Sequence, residues 1–309
     1  MSEKEKNTIL QTLNVTGEAQ LLTFLIDKKV RKSRSAIKSL LSHKQIKVNN
    51  KVESQYNYEL KAGDVVTIHK TDQARTLKVL KGITIIYEDD YLLVVDKEAG
   101  LLSIATEREK RETAYSIISS YLKLKDTSAR VFVLHRLDRE TSGLMLYAKS
   151  TEVQESMQKH WNEMIQVRSY IAVVEGRVVP EEGTIESWLT EDKNFVMHSV
   201  DFDNGGQKSI THYKTVKGTR RFTQLELNLE TGRKNQIRVH MQHIGHPIVG
   251  DKKYGSKISP IRRIALHAYE LCFRHPVTGE ILEFKSPIPP KMKLLVEPPA
   301  KPEQEKNGK

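Results

Sequence analysis

The sequence has very little cysteine and no long apolar run. Its 309 residues include a single cysteine, Cys272, which excludes an internal disulfide and a thiolate cluster for structural zinc. No apolar stretch approaches the roughly 20 residues that a transmembrane helix needs, and the opening segment Met1–Lys6 is charged. We therefore expect no membrane span and no secretory signal, and a reducing cytoplasmic location.

Two glycine-rich nucleotide motifs are also missing. No Gly-x-Gly-x-x-Gly follows a predicted strand and no Gly-Lys-Ser/Thr phosphate loop occurs, so no nucleotide cofactor is expected. Three histidines, His240, His243 and His246, are spaced like metal ligands on one helix face. However, Gly245 and Pro247 would end the helix before the third histidine, and we predict no metal site.

Acidic residues are absent from one strongly basic stretch. The chain carries a formal charge of +11, and Lys28 to Lys51 contains nine Lys or Arg and no Asp or Glu. Such a one-sided field attracts a polyanion and releases its counterions on binding, although a basic run can also be a solvated face that aids solubility. We predict RNA contacts in this run from Lys28, Lys29, Arg31, Lys32, Arg34, Lys38 and Lys47.

The pattern inside the basic run favours a folded module. Ser33 is a suitable cap for a helix over Arg34–Ser42, whose apolar residues share one face while Arg34 and Lys38 share another. A strand at Gln45–Val48, two turns and a strand at Val65–His69 follow. This order resembles the alpha-L RNA-binding module of a small-subunit ribosomal protein and of bacterial tyrosyl-tRNA synthetases. The family usually has glycine where Lys44 and Asn50 stand.

Composition and periodicity divide the chain into segments. We predict a flexible N-terminus over 1–18, the alpha-L module over 19–80, a second domain over 83–290 and a disordered tail over 291–309. In the second domain we predict helices at Ala114–Lys123, Thr151–Ile165 and Lys234–Ile244, and strands at Ile83–Tyr87, Leu92–Asp96, Val131–Leu134, Leu144–Ala148, Tyr170–Glu175 and Phe222–Leu229. Strands outnumber helices without alternating with them, so the expected fold class is α+β with a mainly antiparallel sheet and a small N-terminal α/β module.

One carboxylate stands out in the second domain. Asp138 lies between Arg136 and Arg139, in a polar turn that joins two apolar runs. A lone acid among cations is kept ionised. On the residues alone, Asp138 could still be an ordinary turn aspartate that bonds its own backbone.

The wider sequence resembles a known family of RNA-modifying enzymes. His135-Arg136-Leu137-Asp138, followed by Thr141-Ser142-Gly143 and Ala148-Lys149, resembles the signature of the RluA-type pseudouridine synthases. Further motifs stand in the family's order across roughly residues 83–287. They are Tyr87-Glu88-Asp89, Val94-Val95-Asp96-Lys97, Tyr170-x-Ala172, Thr231-Gly232-Arg233, Gln236-Ile237-Arg238-x-His240, Gly250-Asp251, Tyr254-Gly255 and His275-Pro276. Two positions depart from the family: Glu98 replaces a proline and Asn235 replaces a histidine.

The resemblance implies a reaction and a set of roles. These enzymes isomerise uridine to pseudouridine in structured RNA without a cofactor or metal. The resemblance implies that Asp138 assists departure of the base and that Arg238 pairs with Asp138. It also implies that Tyr170 lies against the uracil and takes part in the last proton transfer. Arg136, two residues before Asp138 on an extended segment, would project to the same side and insert into the RNA; alternatively it pairs with Glu140. We also expect Arg233 to bind RNA.

Three function classes compete at this point. The first is an RNA pseudouridine synthase, for which the alpha-L module is typical of enzymes acting on large-subunit ribosomal RNA, although some family members modify transfer RNA. The second is a non-catalytic RNA-binding ribosome-assembly factor. The third is a nucleoside hydrolase or glycosidase, which would need a second carboxylate near Asp138; Glu140 is the nearby acid. We favour the first, with RNA as partner, and expect a monomer from the family.

Overall fold

The computed structural model describes residues 9–31, 33–42, 45–69, 78–107, 109 and 112–297. Lys32, Lys44 and most of the tail predicted over 291–309 lie outside these residues. The first part of that tail was predicted wrongly. Helix α7 runs from Pro290 to Leu294, and Met292 and Val296 are buried in the main core, because this segment still carries apolar side chains among its lysines.

The N-terminal module, residues 9–69, is built from small sheets and two helices. Its elements are β1 (Ile9–Asn14), β2 (Ala19–Gln20), α1 (Leu21–Asp27), α2 (Arg34–Ser42), β3 (Ile46–Val48), β4 (Lys51–Val52), β5 (Glu59–Leu60) and β6 (Val65–His69). The strands pair antiparallel in the order β1-β6-β3-β4, with β2 against β5. Strand β1 lies within the segment 1–18 that was predicted to be flexible, and its pairing with β6 orders residues 9–14.

Helix α2 has the bounds predicted from the sequence. The Ser33 hydroxyl accepts a hydrogen bond from the Ala36 N–H at 3.1 Å, as expected of an N-cap residue. Ile37, Leu40 and Leu41 are buried in the core of the module. The apolar stripe therefore faces inward, and the exposed Arg34 and Lys38 are left toward solvent.

The larger unit, residues 78–297, centres on one extended sheet. Its strands are β7 (Lys78–Leu80), β8 (Ile83–Glu88), β9 (Leu92–Lys97), β10 (Phe132–Val133), β11 (Ser142–Ala148), β12 (Ile165–Glu175), β13 (Glu182–Glu191), β14 (Met197–Val200), β15 (Gln207–Gly218), β16 (Phe222–Leu229), β17 (Leu266–Arg274) and β18 (Ile281–Lys285). The order is β14-β13-β15-β16-β12-β17-β11-β9-β8-β7, with β10 on β11 and β18 on β17. The predicted fold class, α+β with a mainly antiparallel sheet, is confirmed.

The helices of this unit cover the sheet. They are α3 (Ala114–Lys125), α4 (Thr151–Lys159), α5 (Trp161–Met164), α6 (Gln236–His243) and α7. The single helix predicted over Thr151–Ile165 is wrong, because the chain turns at His160 and Ile165 already pairs with Phe273 in the sheet. Among the described residues, no helix is long and apolar enough to cross a bilayer.

A parallel contact in the middle of the sheet positions the polar turn that contains Asp138. Strands β11 and β17 run parallel, with Gly143 opposite Ala268. Gly143 has φ +114°, and a Cβ there would lie 2.1 Å from the Ala268 carbonyl oxygen, so only glycine allows this approach. The start of β11, and the turn before it, are thereby held against β17, whose other neighbour in the sheet is β12.

Candidate active site

The turn that carries Asp138 is anchored at its neighbour Leu137. The Ser103 hydroxyl accepts from the Leu137 N–H at 3.1 Å and donates to the Leu137 carbonyl at 2.6 Å, while the Leu137 side chain is buried. At the start of the turn, His135 Nε2 accepts from the Leu146 N–H at 3.0 Å. The backbone on both sides of Arg136 is therefore fixed, and Asp138 follows directly.

A buried lysine supports the other end of the turn. Lys97 Nζ donates to the carbonyls of Glu98, Leu101 and Arg139 at 2.9, 2.8 and 3.2 Å, and its side chain is fully buried. Burial lowers the pKa of Lys97 to about 8, and the nearby Arg263 charge acts in the same direction. The ammonium group joins the end of β9 to the residue that follows Asp138.

Two carboxylates share the guanidinium of Arg238. Arg238 Nη1 donates to Asp138 Oδ2 at 3.2 Å. On the other side, Arg238 Nε and Nη2 donate to the two carboxylate oxygens of Asp251 at 2.6 and 2.9 Å. The Asp138 side chain is 31% exposed and that of Asp251 is 1% exposed. Arg238 is thus clamped from inside by Asp251 and presents one N–H toward the more accessible Asp138.

Asn235 and Tyr254 complete the surroundings of Arg238. The Asn235 amide donates to the Tyr254 hydroxyl at 2.9 Å, and its oxygen accepts from Arg238 Nη1 at 3.3 Å. The guanidinium carbon of Arg238 lies 4.9 Å from the centroid of the Tyr254 ring, within cation–π range. Asn235 precedes helix α6 in a left-handed conformation, φ +54°, which asparagine adopts more readily than most residues.

Tyr170 lines the same pocket as Asp138. Strand β12 pairs it with Leu227 on one side and Ala268 on the other, and its side chain is buried. Burial raises the pKa of Tyr170; the Arg168 charge lowers it and the Asp138 charge raises it. The phenol consequently keeps its proton at neutral pH.

Asp138, Tyr170 and Arg238 line one pocket together with two further cations that the sequence singled out, Arg136 and Arg233. Its lining residues are Arg136, Leu137, Asp138, Thr141, Tyr170, Leu229, Arg233, Asn235, Gln236, Ile237, Arg238 and Leu266. Asp138 is the one carboxylate among these described lining residues. Arg136 and Glu140 form no ion pair within the described ranges, so the alternative pairing proposed for Arg136 is absent there.

The basic run of the N-terminal module lies on its surface. Lys28, Lys29, Arg34 and Lys38 are exposed, and Arg31 and Lys47 are partly exposed. Two of the lysines lie over aromatic rings of the same module: Lys28 Nζ is 5.7 Å from the Phe24 centroid and Lys38 Nζ is 5.8 Å from the Tyr56 centroid. Their roles in RNA binding stay predictions.

The histidines of α6 and the following turn engage separate partners. His240 lies between the hydroxyls of Ser187 and Thr211, at 2.9 and 2.8 Å. The other two bond elsewhere, His243 to Asp201 and His246 to the Glu175 carbonyl. The described residues contain no group of three such side chains arranged to hold a metal ion.

Comparison with known proteins decides the family. The family model described as RNA pseudouridylate synthase matches residues 91–243, and the S4 domain model matches residues 21–66. A Bacillus subtilis (strain 168) protein called an uncharacterized RNA pseudouridine synthase, YhcT, is 31% identical over 288 residues, covering 92% of this chain and 94% of that protein. The chain belongs to the RNA pseudouridylate synthase family. The RluA-type resemblance and the alpha-L module, here matched as an S4 domain, are both confirmed.

Other relatives of this pseudouridine synthase agree. The ribosomal large subunit pseudouridine synthase D of Neisseria meningitidis serogroup B is 33% identical over 272 residues, covering 83% of this chain and 72% of that protein. The structure of human RNA pseudouridylate synthase domain containing 4 superposes with a TM-score of 0.57 at 22% identity, covering 68% of this chain and 90% of that one. The latter likeness supports the fold. As a member of this family the protein is an isomerase, as predicted.

The sequence did not reveal the roles of several residues that hold the pocket-lining side chains and turn in place. Asp251, Tyr254 and Lys97 were named as parts of family motifs, yet no role was assigned to them. The burial of Lys97 has no local signal in the sequence, because Lys97 stands between Asp96 and Glu98 at the end of an apolar run. The pairing of Asp251 with Arg238 could not be predicted from the local sequence either, because 13 positions separate the two residues.

Proposed function

We propose that the protein converts uridine to pseudouridine in structured large-subunit ribosomal RNA, with Asp138 as the carboxylate that acts on the glycosidic bond. Asp138 Oδ2 is 3.2 Å from Arg238 Nη1, in a pocket that Tyr170 also lines. This contact carries the proposal, because it orients the Asp138 carboxylate while leaving it accessible to a bound nucleotide.

The reaction needs the carboxylate and no external reagent. The bond between the ribose C1′ and the uracil N1 breaks, the uracil turns within the pocket, and a bond forms between C1′ and C5. C5 then loses a proton and N1 gains one, so the product is an isomer of the substrate. Asp138 serves this sequence either by attacking C1′ or by taking a proton from the sugar. Tyr170 retains its proton at neutral pH, which suits packing against the uracil, and the regenerated Asp138 carboxylate is the stronger base for the C5 proton.

The uridine has to leave its stack to reach this pocket, at a cost on the order of a few kcal/mol. Arg136 is exposed and lines the same pocket as Asp138. We assign to it the insertion into the space vacated by the flipped base, and to Arg233 a phosphate contact at the rim. The S4 domain acts as a docking arm through its basic run, and residues 83–290 act as the catalyst.

The absence of a second pocket carboxylate disfavours base hydrolysis. A glycosidase pairs two carboxyl groups about 5–9.5 Å apart. Among the described residues that line the pocket, Asp138 is the only one that carries a carboxyl group. Large-subunit ribosomal RNA is preferred to transfer RNA because relatives named ribosomal large subunit pseudouridine synthase D cover most of this chain.

The test uses Asp138→Asn, which keeps the side-chain shape and removes the nucleophilic, basic oxygen. Ribosomal RNA and transfer RNA from a strain lacking the protein are incubated with either form, and pseudouridines are mapped by carbodiimide labelling and primer extension. We expect new pseudouridines in large-subunit ribosomal RNA with the wild type and none with the variant. Identical maps from both forms would contradict the role of Asp138. Released uracil would instead indicate a hydrolase, and pseudouridine confined to transfer RNA would overturn the assigned target.

A further inference from the structure

Phe195 is an exposed residue with a strained backbone, in a turn whose geometry does not call for an aromatic side chain. It lies between strands β13 and β14, its side chain is 69% exposed, and its φ is +59°, a region that glycine or asparagine occupies with less strain. The Asp192 carboxylate holds the turn by accepting from the N–H groups of Asn194 and Val196 at 2.8 and 2.9 Å. Neither packing nor turn geometry therefore accounts for an aromatic residue here.

Two lysines connect Phe195 to the elements that hold Arg238. Lys234 Nζ lies 5.5 Å from the centroid of the Phe195 ring, and Lys253 Nζ donates to the Phe195 carbonyl at 2.7 Å. Lys234 directly precedes Asn235, and Lys253 directly precedes Tyr254. Both cations thus belong to the segments whose side chains contact Arg238.

The hairpin formed by β13 and β14 also contacts Tyr254, whose ring lies against Arg238. The Met197 N–H donates to the Tyr254 hydroxyl at 3.2 Å, and Tyr254 underlies the Arg238 guanidinium, which reaches Asp138. Phe195 is two residues from Met197. The exposed ring is therefore presented beside the candidate active site.

A second exposed phenylalanine provides a contrast. Phe202, in the turn between β14 and β15, is 67% exposed but stands between Asp201 and Asp203 in the sequence. Lys234 and Lys253 both contact Phe195, with Lys234 also paired to Glu191, whereas the chain neighbours of Phe202 are both aspartates. Only the first combines an accessible π face with the positive charge that a nucleic acid backbone requires.

We infer that Phe195 stacks on an unpaired base of the RNA substrate next to the flipped uridine, while Lys234 and Lys253 contact the adjacent phosphates. The inference rests on the proposed function, since it assigns a substrate contact of the same site. Stacking on aromatic side chains is the main way that proteins hold unstacked RNA bases, and it tolerates any base. Phe195 would thus add affinity near the target without reading sequence.

The experiment compares Phe195→Ala, Phe195→Trp and Phe202→Ala in the full chain. The probe is unmodified large-subunit ribosomal RNA transcribed in vitro, with affinity and kcat/KM for pseudouridine formation measured at several salt concentrations. Loss of one stacked base should weaken binding by roughly 5- to 150-fold. We expect that loss for Phe195→Ala, recovery for Phe195→Trp, and a change below about twofold for Phe202→Ala. The salt slope should be unchanged in Phe195→Ala and lower by about one in Lys234→Ala.

Stability gives a second measurement. Phe195→Gly relieves the positive φ, so it should raise Tm while weakening RNA binding; a residue with only a structural role would lower Tm when replaced. Unchanged binding in Phe195→Ala, or equal losses in Phe195→Ala and Phe202→Ala, would overturn the inference. If only binding to a protein partner were lost, the surface would be a protein contact and the inference would be wrong. If the wild type formed no pseudouridine, the proposed function would be wrong. The RNA affinities of the wild type, Phe195→Ala and Phe202→Ala would still show whether Phe195 stacks on a base.

Discussion

Asp251 holds the Arg238 guanidinium by two hydrogen bonds of 2.6 and 2.9 Å, whereas Asp138 receives a single bond of 3.2 Å from the same group. The better-bonded carboxylate is the buried one. Arg238 is consequently fixed before any substrate binds, and its Nη1 group is a preset donor for Asp138. Preset geometry of this kind lowers the reorganisation needed during the reaction.

Replacing Asp251 with Asn should impair catalysis without preventing RNA binding. The amide keeps the shape but loses one acceptor and the compensating charge, so the buried guanidinium shifts and Asp138 loses its partner. Breaking a buried pair costs about 3 kcal/mol of unfolding free energy. We expect kcat to fall at least about tenfold, equivalent to about 1.4 kcal/mol, with KM nearly unchanged. The measurements are urea unfolding and steady-state kinetics.

The matched control for Asp251→Asn is Asp201→Asn. Asp201 is a largely exposed carboxylate that pairs with His243, and exposed pairs contribute little. Its replacement should leave stability and kcat close to the wild type. Equal effects of the two substitutions would refute the clamping role of Asp251.

Asn235 offers a way to separate backbone conformation from side-chain contact. Asn235→Gly keeps the left-handed backbone and removes the amide that bridges Arg238 and Tyr254, whereas Asn235→Ala removes both. We expect both variants to lose a similar several-fold factor in kcat, since one hydrogen bond is worth about 1 kcal/mol. Asn235→Ala should also lose about 1 kcal/mol of stability from backbone strain. Kinetics and thermal unfolding measure the two effects, and full activity of Asn235→Gly would count against the bridging contact.

Local signals in the sequence predicted the local parts of the structure well. Helix α2 was placed from the Ser33 cap and the spacing of its apolar residues, and strand β16 from its apolar alternation. Asp138 was recognised because its flanking arginines and the motif around it lie within one short segment. Each of these depends on neighbours a few positions away.

Features that depend on distant partners could not be predicted. Ile165 has the apolar character of a helix end, but its pairing with Phe273, on a strand far along the chain, makes it the first residue of β12. Strands β13 to β15 were missed because they are rich in polar residues. The exposed position of Phe195 was hidden for the same reason, since a lone aromatic in a polar stretch does not reveal whether it is buried.

The basic face of the S4 domain should control the salt dependence of RNA binding. Arg34 and Lys38 are exposed on one helix, and each phosphate neutralised contributes about 0.7–0.9 to the slope of log affinity against log salt. The double variant Arg34→Ala with Lys38→Ala should therefore flatten that slope by about 1.5. Filter binding of large-subunit ribosomal RNA at several salt concentrations measures it.

Lys61→Ala is the control for this helix, because Lys61 is exposed in the same domain but lies outside the basic run. It should leave the slope unchanged. If the double variant bound RNA with the wild-type slope, the helix would not be a phosphate contact, and the charge of Lys28 to Lys51 would be a solvated face.

Two buried histidines should make the fold sensitive to acid. Burial lowers the pKa of His240 to about 4, the nearby His243 acting in the same direction, and burial also lowers the pKa of His267 to about 4. The ordinary value is 6.5, so between pH 6.5 and 4 the unfolded chain binds protons that the folded chain does not. The contribution of these two histidines to the free energy of unfolding is therefore fully present above pH 6.5. It is lost as the pH falls toward 4, by up to about 1.4 kcal/mol per pH unit for each histidine.

His267→Gln should reduce this dependence by one proton. Glutamine can still bond the Ser142 hydroxyl, which lies 2.8 Å from His267 Nδ1, but it does not titrate. We expect urea unfolding between pH 4.5 and 6.5 to give a slope shallower than the wild type by up to about 1.4 kcal/mol per pH unit, with no difference above pH 6.5. A wild-type slope in His267→Gln would mean that His267 accepts a proton in the folded protein, and that its bonds to Ser142 and to the Ser286 carbonyl survive protonation.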